Sequence, residues 1–181
     1  MNNITSLRRA LVSFGQHARF FSCSSQCHQH QQQQQSDGKI KTVPYSSLTI
    51  GVPLESYPSE RRVSLTPANA ALLLKKGFNQ VLVERGAGAA SQFTDKAYID
   101  AGASLMDRHD VWGSDIVLKV RAPSLNRGEV GLVKDGATVI SFLYPALNRD
   151  LVEALAKRGV TAFAMDMVPR ISRAQVFDAL R

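Results

Sequence analysis

Residues 138–165, TVISFLYPALNRDLVEALAKRGVTAFAM, decide the fold. Thr138–Tyr144 is an apolar, β-branched run of strand length. Asn148 stands where a helix N-cap is expected, and DLVEALAKRG then runs at helical spacing until Gly159 closes it. Val160–Met165 is a second strand-like run. A strand, a helix of about ten residues and another strand form a βαβ unit with parallel strands and a right-handed crossover.

The same alternation extends back to residue 48. Leu48–Pro53 (LTIGVP) reads as a strand, and Thr66-Pro67 supplies an N-cap with proline at the first helical position. ANAALLLKKG is a helix stopped by Gly77, and Gln80–Glu84 (QVLVE) is a strand. Thr94 opens a short helix, TDKAYIDAG, closed by Gly102, and Asp115–Val120 (DIVLKV) is a further strand. Five strands are expected in all. Their near-continuous apolar character fits a sheet covered on both faces. The fold class is α/β, with a Rossmann-like, mostly parallel sheet and flanking helices.

Beyond the last strand comes VPRISRAQVFDAL, residues 168–180. It places Arg170, Arg173, Gln175 and Asp178 where ligands gather in open α/β sheets, past the carboxyl ends of strands. A guanidinium, an amide and a carboxylate there suit a planar polar group such as a carboxamide and its ribose. A second reading uses the same residues: Ser172 and Gln175 form a capping box at a helix start and need no ligand. Spacing alone leaves both readings open. The chain reaches Arg181 about one turn into that helix without a C′ glycine, so the domain is expected to be incomplete at its C-terminus.

Charge narrows the class of partners. The 22 basic and 15 acidic side chains give a net +7, of which residues 1–40 hold +3. No basic stripe with interleaved aromatics appears, so nucleic acid is not an expected partner. No run of 18 apolar residues exists to span a membrane. Residues 1–25, MNNITSLRRALVSFGQHARFFSCSS, contain three arginines, several serines and no acid. That is the composition of a mitochondrial transit peptide, and the glutamine-rich tract after it is expected to be unstructured. Residues 1–40 are thus read as leader and tract, and 41–181 as the folded domain.

Cys23, Cys27, His28 and His30 fall inside the leader at a spacing that fits no zinc finger, so no metal site is expected. No cysteine follows Cys27, which suits a reducing compartment. Gly86-Ala87-Gly88 follows a strand but lacks the third glycine of a dinucleotide fingerprint, and reads as a turn. His109, beside Val111-Trp112 on a short helix, is assigned no function. Trp112, Phe78, Phe93 and Phe163 read as core or core-edge packing.

The stretches IGVPLESYPSERRVSLTP, VLVERGAGAASQFTDKAY, DIVLKVRAPS and FAMDMVPRISRAQVFDAL together resemble the NAD(H)-binding component of proton-translocating NAD(P) transhydrogenase. The resemblance covers about residues 48–181, and its most specific part is PRISRAQ with Asp178; the rest is shared with alanine dehydrogenase. It implies the first of two Rossmann-like domains, with the glycine fingerprint on the second. It implies that Arg170 and Asp178 hold the nicotinamide and its ribose, and that Gln175 aligns it with NADP(H) bound on a partner component. It also implies a homodimer on the matrix side of the mitochondrial inner membrane, passing hydride from NADH to NADP as protons cross. The fragment alone is expected to be inactive.

Alanine dehydrogenase-like proteins set a different expectation. There the positions matching Arg62 and Lys119 bind the substrate, and a histidine acts where this chain has Tyr144. A phenol, with a pKa of ~10, exchanges protons poorly near neutrality. Arg62 and Lys119 are therefore read as structural, in a surface loop paired with an acid and at a strand end. The alternatives are a soluble amino-acid dehydrogenase of the alanine or saccharopine type, or a non-catalytic remnant of the fold.

Overall fold

A computed structural model describes residues 42–169. Six strands form one sheet: β1 (Thr49–Val52), β2 (Gln80–Glu84), β3 (Ser104–Met106), β4 (Ile116–Arg121), β5 (Thr138–Phe142) and β6 (Thr161–Ala164). They lie in the order β3-β2-β1-β4-β5-β6, and every neighbouring pair is parallel. The helices between them are α1 (Pro67–Lys75), α2 (Asp95–Asp100), α3 (Arg108–Trp112), α4 (Glu129–Leu132) and α5 (Arg149–Lys157). The Rossmann-like fold read from the sequence is present, with one strand more than the five expected. Strand β3 is only three residues long and too short to show a period.

Local chemistry sets the helix ends. Thr66 Oγ1 accepts the Asn69 N–H at 3.4 Å, and Thr94 Oγ1 accepts the Ala97 N–H at 3.2 Å. Gly77 sits at φ +97°, where its N–H reaches Leu74 O at 3.0 Å and the Phe78 N–H reaches Leu73 O at 3.4 Å. That pair of bonds is a Schellman closure, and it recurs at Gly102 and Gly159. Asn148 departs from its expected role. It precedes α5 but does not cap it, because its side-chain amide donates to Leu143 O at 2.7 Å.

Period-two alternation distributes the strand side chains between two faces. Ile50, Val52, Val81 and Val83 pack with Ala70 and Tyr98, so α1 and α2 cover that face over β1–β3. Val117 and Val139 point the other way, onto Trp112 and Val133. Leu143 joins Val130, Leu151 and Leu155 on that second face, beneath α4 and α5. Helix α3 approaches the second face where Gly51 has no side chain: an added Cβ would lie 2.7 Å from Ser114 Oγ and would also meet the Val111 carbonyl.

Candidate functional site

In this strand order the crossovers leave β1 and β4 in opposite directions, so a crevice opens beyond their carboxyl ends. Two carboxylates from the β1–α1 connection fill its floor. Glu55 Oε2 accepts from Lys119 Nζ at 2.7 Å, and Glu55 Oε1 accepts the Val120 N–H at 2.6 Å. The Lys119 side chain is 0% exposed and that of Glu55 4%. The pair is a buried, hydrogen-bonded ion pair, in which neither charge survives burial without the other.

Glu60 is the second. Its carboxylate accepts from Arg62 Nε at 2.7 Å and from Arg121 Nε at 2.7 Å. The Arg62 hydrogen bonds, outweighing the cost of burial, hold the carboxyl at about 2, below its ordinary 4.5. The same contact raises the Arg62 pKa. Arg121 also lies over the Tyr57 ring, 4.9 Å from its centroid. Arg62 is thus a surface-loop residue paired with an acid, as the sequence suggested. Lys119 lies within β4, in a buried ion pair with Glu55, rather than at a strand end.

Above these pairs lies a cavity of about 400 Å³ bordered by Arg62, Ser64, Lys119, Ser141, Phe142 and Met165. Ser64 Oγ donates to Leu118 O at 2.8 Å, whereas the buried Ser141 Oγ has no hydrogen-bond partner. A second groove, of about 450 Å³, runs past Tyr57, Arg121 and Tyr144. Tyr144 follows β5 at φ +47°, its ring stacked on Phe142 with centroids 6.4 Å apart. Among the described residues no histidine stands in this region, and His109 is exposed on α3.

The glycine-rich segment lies elsewhere. Gly86 N–H donates to Asp95 Oδ1 at 2.9 Å, and a Cβ on Gly88 would come within 2.7 Å of the Tyr98 ring. These glycines serve a turn packed against α2, as expected, and offer no cradle to a phosphate. In the switch-point crevice the cations Lys119, Arg62 and Arg121 are already engaged by Glu55 and Glu60. Among the described residues, each cation bordering these two cavities is thus already paired with a carboxylate.

Arg170, Gln175 and Asp178 lie outside the described residues, as do residues 1–40. The described chain ends at Pro169, four residues after Met165 of the cavity wall. Sequence reasoning missed Glu55, Glu60 and Asp166. Glu55 pairs with Lys119 64 residues away, Glu60 with Arg121 61 residues away, and Asp166 accepts the distant Leu143 and Tyr144 N–H groups, none of which local spacing reports. The Glu60–Arg62 contact, two residues apart, is local.

Residues 51–181 match the family described as alanine dehydrogenase/PNT, N-terminal domain. The chain is 42% identical over 133 residues to NAD(P) transhydrogenase subunit alpha of Haemophilus influenzae, covering 74% of this chain and 25% of that one. It is 38% identical over 122 residues to alanine dehydrogenase of Bacillus subtilis, covering 67% and 32%. A crystal structure of transhydrogenase from Sinorhizobium meliloti superposes with a TM-score of 0.67 at 38% identity, over 72% of this chain and 37% of that one. The chain thus spans about a quarter to a third of the curated relatives it matches. With its parallel six-stranded sheet and this match over most of its length, the chain belongs to the alanine dehydrogenase/PNT N-terminal domain family.

Proposed function

We propose that this chain is the N-terminal part of the NAD(H)-binding component of a proton-translocating NAD(P) transhydrogenase. The observation that carries the reading is the 42% and 44% identity to transhydrogenase alpha subunits from two bacteria, joined to a tyrosine at position 144. Amino-acid oxidation calls for a group that exchanges protons near neutrality, and Tyr144 is a poor one. Hydride transfer between two nicotinamides needs no side-chain acid or base, since donor and acceptor are the cofactors themselves. The protein's task is then to hold and orient.

In this reading Arg170 and Asp178 hold the nicotinamide and its ribose, and Gln175 aligns that ring with NADP(H) on a partner component. Phosphate binding falls to sequence outside the described residues, in keeping with crevice cations that are already paired with Glu55 and Glu60. Residues 1–40 act as a mitochondrial transit peptide and tract, and 41–181 as the domain. The assembly is a homodimer facing the matrix, with its membrane and NADP-binding components elsewhere.

In the complete assembly, Gln175→Asn is expected to slow single-turnover hydride transfer from NADH while the NADH dissociation constant stays near wild type. Equal losses in both would reject an aligning role. A fluorescent fusion of residues 1–36 is expected in mitochondria, and its retention in the cytosol would reject the targeting reading.

A second reading, an amino-acid dehydrogenase, draws on the 38% identity to alanine dehydrogenase and on Arg62 and Lys119. Against it, Glu55 already neutralises Lys119 and Glu60 engages Arg62. Alanine-dependent reduction of NAD by the complete protein is expected to be absent, and steady turnover would restore this reading.

A further inference from the structure

The groove past Tyr57 and Tyr144 has a volume of about 450 Å³, the size of a site for a small organic ligand. Leu125, Leu147 and Leu151 complete its walls, and Arg121 carries the only charge among its described lining residues. That arginine is held in two ways. Its Nε donates to Glu60 at 2.7 Å, and its guanidinium lies over the Tyr57 ring, 4.9 Å from the centroid. The two terminal nitrogens donate to no described residue, and the side chain keeps 34% of its surface exposed. A guanidinium pinned by its Nε and by one face is already ordered, so a ligand that takes the remaining fork loses little further side-chain freedom.

Charge at this spot does not balance. Glu60 is shared by Arg62 and Arg121 and stays ionised down to about pH 2, so two guanidinium groups face one carboxylate and a single positive charge is left over. The neighbouring acids do not cancel it from within the groove. Glu129 accepts the Ser124 N–H and is paired with Arg108, while Asp166 accepts the Leu143 and Tyr144 N–H groups and lies outside the lining. One surplus charge suits a monoanion better than a phosphate dianion. The planar fork of a guanidinium matches a carboxylate through two parallel N–H···O bonds. Aromatic and leucine walls call for a flat carbon body behind that carboxylate.

We infer that this groove binds a small aromatic monocarboxylate, its carboxylate on the terminal nitrogens of Arg121 and its ring against the tyrosine and leucine walls. The site is separate from the cavity beside Lys119, and it does not rest on the roles given above to Arg170, Gln175 and Asp178. Both halves of the ligand are needed. An acid without an apolar body leaves the walls in water, and an apolar body without the acid leaves the fork without an acceptor.

The test titrates the isotope-labelled full chain with naphthoate and, in parallel, with naphthamide, its uncharged amide, and follows backbone amide NMR signals. Naphthoate is expected to shift Ala122, Ser124, Leu125 and Asn148 saturably, with a dissociation constant on the order of 1 mM. Naphthamide is expected to bind about tenfold more weakly or worse. Arg121→Gln is expected to weaken naphthoate about tenfold or more, since it removes the charge and the fork. Leu147 is 84% exposed, so Leu147→Asp leaves the core untouched and keeps the test decisive if Arg121→Gln does not fold. It is expected to weaken naphthoate about fivefold or more by removing apolar contact and adding a like charge.

Absence of saturable shifts below about 10 mM naphthoate overturns the proposal. So does equal binding of the amide, or an affinity unchanged in a folded Arg121→Gln or Leu147→Asp chain. If naphthoate fails while an acetylated peptide carrying one glutamate beside a phenylalanine binds, the groove belongs to a protein partner and the small-acid reading is wrong.

Discussion

At Glu60 two guanidinium groups converge on one carboxylate, and the Arg62 N–H adds a third donor at 3.1 Å. The acid therefore stays ionised in the folded chain to about pH 2, whereas its ordinary value is 4.5. Asp115 behaves alike in direction: burial raises its pKa, but Lys134 and the two donors of Thr49 outweigh it and leave it lowered. Between those values the unfolded chain binds a proton that the folded chain does not, so stability rises with pH. The Glu60 contribution is complete above about pH 4.5 and is lost as pH falls towards about 2. Glu60→Gln is accordingly expected to lose less stability than wild type between pH 6 and pH 3 in urea unfolding, from a lower starting point. Equal losses across that range would remove Glu60 from the acid response. The buried Glu55–Lys119 pair follows a different rule: its worth lies in fixing the β1–α1 connection onto β4, and removing either member alone strands a buried charge.

Among the elements, β1 and α3 meet at one residue. Gly51 lets the α3 backbone close on the sheet, and any side chain there would strike the Val111 carbonyl and Ser114. Gly51→Ala is expected to destabilise the chain by about 3 kcal/mol, at the upper end of overpacking costs, in chemical denaturation. A change below about 0.5 kcal/mol would mean that α3 moves aside freely. Why some elements were legible in the sequence and others were not follows from the same physics. β2 was read with its observed limits because QVLVE is a β-branched run between a helix-closing glycine and a turn. The caps at Thr66 and Thr94 were legible because a cap is a contact between residues three apart. β3 escaped because its three residues pair only with a distant strand. Asn148 misled because its amide found Leu143 O, a competitor that spacing does not reveal. Glu55, Asp166 and the Glu60–Arg121 contact were illegible for the reason that hid β3, since those partners become neighbours only once the sheet has formed.

At the scale of the whole molecule, right-handed crossovers explain both where the helices are and which face they leave bare. The chain moves from β1 to β3 in one direction and from β4 to β6 in the other, so α1–α2 and α4–α5 fall on opposite faces. Each half of the sheet is therefore covered on one side by the helices of its own crossovers. On the face of α1 and α2, register-paired Leu118, Ile140 and Phe163 form an apolar row across β4, β5 and β6. Phe163, expected in the core or at its edge, is instead 54% exposed, because no described helix lies over β6 on that side. Parallel sheets are normally covered on both faces, and exposed apolar rows at a sheet edge invite self-association. The purified chain is accordingly expected to associate as its concentration rises, and Phe163→Lys to hold it monomeric with an unchanged far-ultraviolet circular dichroism spectrum. Sedimentation velocity over a concentration series measures both. Identical profiles for the two chains would mean that the row is not a contact surface.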